Sequence, residues 1–192
     1  MLSAFPSLIV SLPDWMSEMC QPGAIFDAVD ERMALVIELA RTNVARQTGG
    51  PFGAAVFDSE TGEVIAPGVN LVVSAQAALA HAEMLAISLA GQALESFDLG
   101  VRATELVSST EPCAMCLGAI PWSGVRRLVC GARDEDARRI GFDEGDKPAD
   151  WIGLLRRRGI EVVRDVFRSE ATAVLDEYAR AGGPIYNGRG RE

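Results

Sequence analysis

Apolar side chains fall at positions 26, 29, 33, 36, 37, 40 and 44, a spacing of three and four that predicts a helix over residues 24–46 with one face buried. Thr48-Gly49-Gly50-Pro51 ends it. A short apolar run, 52–57, is followed by the polar stretch Asp58-Ser59-Glu60-Thr61-Gly62 and a second apolar run, 64–73, which together predict a hairpin. Ala- and Leu-rich residues 78–94 predict a helix, 105–109 a strand, and 113–120 a short helix closed by Pro121 and Gly124. A strand is expected at 128–132. Helical pieces follow at 134–140 and 149–158, separated by Gly141-Phe142-Asp143-Glu144-Gly145, and then a strand at 160–163. Ala171, Val174, Leu175 and Tyr178 mark a last amphipathic helix, which Gly182-Gly183-Pro184 ends. Residues 1–22 carry Pro6, Pro13 and Pro22 and no period. They read as an N-terminal leader wrapped on the surface, with Phe5 and Trp15 as anchors, ahead of one domain over 23–192.

The order α-ββ-α-β-α-β-α-β-α predicts an α/β fold: a three-layer α/β/α sandwich around a five-stranded mixed sheet. About 27 residues with helical pieces join the last two strands, too many for a hairpin, so these two are expected to run parallel.

Composition narrows the classes. Apolar residues make up 48% and charged residues 23% of the 192, which excludes a disordered chain. The net charge of −9 works against nucleic-acid binding. No apolar run reaches the roughly 18 residues of a membrane span. No Lys or Arg precedes Arg32, so the start lacks the positive region of a secretion signal and the expected location is cytoplasmic. Four cysteines are too few for a disulfide framework. In a reducing compartment the close pair Cys113 and Cys116 reads as a metal or redox pair, and Cys130 as core.

The pair gains meaning from His81-Ala82-Glu83, since one imidazole and two thiolates make a tetrahedral zinc site with a position left for water. Cys113 and Cys116 share the first turn of one predicted helix and His81 lies near the start of another, so both helix N-termini favour the thiolates. Glu83 stands inside the site without being needed as a ligand. A carboxylate there can take a proton from water and give it to a leaving amine. His81-Ala82-Glu83 with Pro112-Cys113-Ala114-Met115-Cys116 matches the H-x-E…P-C-x-x-C pattern of the zinc nucleobase deaminases. The bland alternatives are a structural zinc, buried thiols, and a packed histidine; the joint occurrence in the right order favours one catalytic zinc per chain.

From about residue 24 to 185 the chain resembles the cytidine deaminase-like superfamily. The segments His81-Ala82-Glu83-Met84-Leu85-Ala86-Ile87 and Pro112 to Ala119 resemble its purine-directed branch, with Leu85-Ala86 where cytosine and dCMP deaminases usually have Asn-Ala. Gly49-Gly50-Pro51-Phe52-Gly53-Ala54, Asn70 and the Gly141–Gly145 segment resemble the bacterial guanine deaminases, including the group that also accepts the triazine ammeline. The resemblance implies a small purine base as substrate, zinc as cofactor and a homodimer, sometimes with exchanged C-termini. It also implies roles: Glu83 as proton shuttle, Glu144 more than Asp143 as a loop acid at the substrate, Phe52 and Phe142 as rings sandwiching the base, Asn70 as reader of the purine edge, Trp122 as a pocket wall and Tyr186 in a closing tail. Against these stand ordinary readings: Phe52 in a strand core, Asn70 capping a loop, Asp143 and Glu144 in a solvated acidic turn, Trp122 in packing.

Three rivals remain from the sequence. A tRNA adenosine deaminase would need a basic face, and Arg156-Arg157-Arg158, the one dense basic run, suits the end of its helix as a solvated face. Another small-base or nucleoside deaminase is the second. A zinc-stabilised module without turnover is the third, and the intact Glu83 counts against it.

Overall fold

Strand β1 (Gly53–Asp58) turns back into β2 (Val64–Val69), and the two pair antiparallel. A computed structural model describes residues 7–187. In it β1 also pairs antiparallel with β3 (Thr104–Thr110), which continues parallel to β4 (Arg127–Ala132) and then β5 (Glu161–Val163), giving the order β2-β1-β3-β4-β5. The expected parallel pairing of the last two strands holds, and it extends one strand further, to β3. Pro67 sits in β2, an edge strand, where a missing N–H costs no ladder bond on the open side.

Alternation along the strands assigns each residue to one of two cores. Ala55, Phe57, Val107 and Val129 face α2 (Val29–Ala45) and α7 (Arg168–Arg180), meeting Met33, Val36, Leu39, Val174 and Leu175. Ala54, Val56, Leu106, Leu128 and Cys130 face the other way, toward α3 (Ala82–Ala93), α4 (Ala114–Ser123) and α6 (Trp151–Arg157). Helices therefore cover both faces, and the chain is the expected three-layer α/β/α sandwich around a five-stranded mixed sheet.

Several boundaries differ from the sequence reading. The second strand stops at Val69; residues 70–81 form a loop closed by the Leu71 N–H donating to the Ala80 carbonyl (2.8 Å). The following helix starts later for the same reason, leaving His81 as its N-cap. Helix α4 runs through Pro121 to Ser123 and stops at Gly124, whose φ of 84° is the left-handed conformation glycine adopts freely at a helix end. Residues 24–28 are not helical; Ile25 instead bridges to Glu63 beside the hairpin. The early segment is less superficial than expected. It holds a one-turn helix, α1 (Met16–Met19), and sends Trp15, Met16 and Cys20 into the α2-side core, with the Trp15 indole N–H donating to Thr48 Oγ1 at 3.2 Å. Phe5 lies outside the described residues. Short α5 (Asp134–Arg139) leads into the Gly141–Gly145 segment.

Candidate active site

His81 and Cys113 occupy equivalent places, each the N-cap of a helix, and Cys116 follows one turn into α4. Their donor atoms converge: His81 Nδ1 lies 3.5 Å from Cys113 Sγ and 3.6 Å from Cys116 Sγ. A tetrahedral zinc with its nitrogen at about 2.0–2.1 Å and its sulfurs at about 2.3 Å sets N and S donors about 3.6 Å apart. The spacing fits zinc, and the three form the one such cluster among the described residues. Contacts with the Cys116 side chain, the His81 ring and the Cys116 backbone draw the Cys113 thiol down against the cost of its burial, while the neighbouring Cys113, burial and Glu83 push Cys116 well up.

Glu83 is the second residue of α3 and is buried. Ser108 Oγ from β3 donates to its Oε1 at 3.2 Å, and Cys116 Sγ to its Oε2 at 3.5 Å. Burial, and next the charge at Cys113, raise its carboxyl above the usual carboxylate range.

A cavity of about 280 Å³ opens beside these groups. His81, Glu83 and Cys113 line it, together with Phe52, Asn70, Phe142, Asp143, Glu144 and Tyr186. Asn70 follows β2 directly and is buried; its Oδ1 accepts from the Val72 N–H at 3.3 Å, so it caps the loop and lines the cavity at once. Glu144 is buried and Asp143 exposed. The Glu144 carbonyl accepts from the Ala114 N–H (2.8 Å), tying this loop to the first turn of α4. Burial, then the charges at Cys113 and Glu83, raise the Glu144 carboxyl to about 8.

Two expected roles do not survive the geometry. Phe52 and Phe142 both line the cavity, but their rings meet edge to face, centroids 5.0 Å apart at 69°, so they do not stand parallel with a base between them. The reason lies in the ring cluster around Phe142, which also stacks on Tyr178 (6.0 Å, 22°) and takes Tyr186 edge on (5.0 Å). Trp122 is no wall of this cavity. It stands on the outer face of α4, 85% exposed, in a separate groove with Leu117, Trp151 and Leu154. Cys130 is core, as expected, and Arg156, Arg157 and Arg158 are exposed.

Tyr186 arrives from the C-terminal tail. Its hydroxyl is buried without a hydrogen-bond partner among the described residues and sits against Gly50, where a Cβ would collide with it. Three contributors had no signal in the sequence. Glu111 lines the cavity while Arg164 holds its carboxylate. Lys147 donates to the Pro112 carbonyl (3.0 Å) and pairs with Asp134 (2.6 Å). Asn187 accepts from the Asp143 N–H (2.9 Å) and donates to the Gly141 carbonyl (3.0 Å). Each owes its place to a partner far along the chain.

The family model for the cytidine and deoxycytidylate deaminase zinc-binding region matches residues 28–132. Among solved structures, NE0047 in complex with 2,6-diaminopurine is 47% identical with a TM-score of 0.89, covering 95% of this chain and 98% of that one. The guanine deaminase from Nitrosomonas europaea is 46% identical with a TM-score of 0.87, covering 91% and 97%. The guanine deaminase of Bacillus subtilis is 38% identical over 120 residues, 59% of this chain and 74% of its own length. tRNA-specific adenosine deaminases, that of Bacillus subtilis among them, match as well.

Proposed function

The chain belongs to the cytidine and deoxycytidylate deaminase family, and we propose that its reaction is the hydrolysis of guanine to xanthine and ammonia. One observation carries this reading within the family: a second buried acid, Glu144, faces the cavity that Glu83 and the zinc ligands line. The near full-length likeness to the Nitrosomonas europaea guanine deaminase supports it, as does the 2,6-diaminopurine bound by NE0047.

His81, Cys113 and Cys116 hold zinc, which when bound supplies a Lewis acid that makes water acidic near neutral pH. Glu83 takes the proton of the water that attacks C2 of guanine. Ser108 fixes one of its oxygens and leaves the carboxylate aimed along one direction. Glu83 gives that proton to the ring nitrogen beside C2, then takes the second proton from the hydroxyl now on C2 and passes it to the amine; the C2–N bond breaks, ammonia leaves and the lactam carbonyl of xanthine remains. Glu144 holds the amino group and moves a proton there. Asn70 offers a donor and an acceptor to the purine edge. Phe142 and Phe52 give the flat base an apolar corner to lie against. Tyr186 closes the cavity from the tail, and its hydroxyl, without a partner among the described residues, is left for the bound base.

The test is ammonia release from guanine, adenine, cytosine, cytidine, guanosine and a tRNA anticodon stem-loop at equal concentration, with the absorbance change of guanine to xanthine as check. Guanine is expected well ahead, with an aminotriazine such as ammeline slow. A pocket that pairs with a lactam can reject an analogue lacking it by about 10⁴–10⁵-fold. Faster release from cytidine or from the stem-loop overturns the reading.

The assembly we infer is a homodimer in the cytoplasm. The groove around Trp122 and Leu154 leaves apolar surface open on α4 and α6 that a second copy would cover. Light scattering that returned the mass of one chain would remove the dimer. Two cysteines set to hold a metal and two buried ones, none in a disulfide, suit a reducing compartment.

A further inference from the structure

One side chain brackets Phe142. Asn187 Oδ1 accepts from the N–H of Asp143 at 2.9 Å, and its Nδ2 donates to the carbonyl of Gly141 at 3.0 Å. A single amide thus satisfies a backbone donor and a backbone acceptor on either side of one residue, a task that needs both kinds of group on one planar head. Glu144 is the next residue along. Its other side is anchored independently, by its own carbonyl accepting from Ala114 N–H (2.8 Å) and by Arg138 donating to the Gly145 carbonyl (2.5 Å). The Phe142 ring, meanwhile, meets Tyr186, the residue before Asn187, edge on at 5.0 Å. Ring and backbone of Phe142 are therefore both held by two consecutive tail residues.

We propose that Asn187 is a positioning residue: by bracketing Phe142 it fixes the backbone from which Glu144 enters the cavity, so that the tail and the loop acid take their places together. The bracket itself stands on geometry; its effect on turnover rests on the guanine reading above. Asn187 lines the cavity beside Tyr186, but its amide oxygen and nitrogen are both engaged by the loop backbone, so it works through the placement of Glu144. Displacements on the scale of about 1 Å are enough to cost a positioned group up to about 100-fold in rate. With Asn187 gone, the Asp143 N–H and the Gly141 carbonyl turn to water and the loop gains an alternative conformation.

The experiment uses the full-length, zinc-loaded protein and two readouts. Hydrogen exchange at the Asp143 amide needs no substrate, and Asn187→Ala is expected to speed it by about 10-fold or more, with the melting temperature unchanged. With guanine, the same variant is expected to lose about 10- to 100-fold in kcat while KM moves far less. In a Glu144→Gln background the further loss on Asn187→Ala is expected to be small, because residues acting through one another are not additive. Unchanged exchange at Asp143 overturns the bracket. Unchanged kcat, or fully additive losses in the double variant, overturns the link to Glu144. If the wild-type protein ignores guanine, the guanine reading falls and the exchange measurement still decides the bracket.

Discussion

Two acids reach one cavity from different elements, Glu83 from the first turn of α3 and Glu144 from the loop after α5. The Asp143 carboxylate next to Glu144 is exposed and accepts from the Gly145 N–H (2.9 Å), a bond its amide analogue would keep. The two loop acids can thus be told apart. Glu144→Gln is expected to damage turnover strongly, whereas Asp143→Asn should leave it close to wild type; the reverse ranking would reassign the role. Glu83→Gln keeps the shape and the Ser108 bond, so zinc content should hold while kcat falls by about 10²–10⁴-fold. Single residues with strong chemistry were legible in the chain: one histidine, two thiols and Glu83 at fixed spacings, with Glu144 singled out only by the family resemblance of its loop. What sequence could not give was orientation. The Phe52 and Phe142 rings meet at 69° because Tyr178 and Tyr186 crowd Phe142, and both come from the C-terminal part of the chain. Trp122 turned outward because its position on α4 faces away from the sheet.

Elements were read well where period and turn chemistry agreed, as in the β1–β2 hairpin, and poorly where a loop imitated a strand or helix. Residues 70–81 are apolar enough to extend both neighbours, yet the Leu71–Ala80 bond closes them into a loop and leaves His81 at a helix start. The hairpin owes its turn to Asp58. Its Oδ1 accepts from the N–H groups of Glu60 (3.0 Å) and Thr61 (2.9 Å), and its Oδ2 from Arg102 Nε (2.8 Å). Burial works to raise the Asp58 carboxyl, but these partners prevail and hold it below the usual range. A group depressed in the folded state stabilises fully above its unfolded pKa, about 3.9, and loses that contribution as pH falls through the folded value. Urea midpoints should therefore drop below about pH 4. Asp58→Ala should cost about 1–3 kcal/mol at pH 7 and flatten that acid limb. An acid limb as steep in Asp58→Ala as in the wild type would take Asp58 out of it.

At the scale of the molecule, a zinc ion held by His81, Cys113 and Cys116 would cross-link two helices. Its three ligands come from α3 and α4, two helices on the same face whose N-termini converge, and the loop bearing Glu144 is hung from the same turn of α4 by the Ala114–Glu144 bond. Bound metal should thus stabilise the whole fold as well as serve the reaction, because an ion held by the native site and weakly by the unfolded chain adds RT ln(1 + [L]/Kd). At about 1,000 times Kd this is about 4 kcal/mol, and for a chain of this length each kcal/mol moves the melting temperature by about 2–4 °C. Stripping the metal with a chelator is expected to lower the melting temperature by roughly 10 °C. His81→Ala, Cys113→Ser and Cys116→Ser should each lose most of the one zinc per chain and melt near the stripped wild type, with chelator doing little more. The Glu83→Gln variant should keep its zinc and its response to chelation, separating catalysis from cohesion. Full zinc and full activity in any of the three ligand variants would dismantle the ligand set. A melting temperature indifferent to complete metal removal would confine zinc to the chemistry.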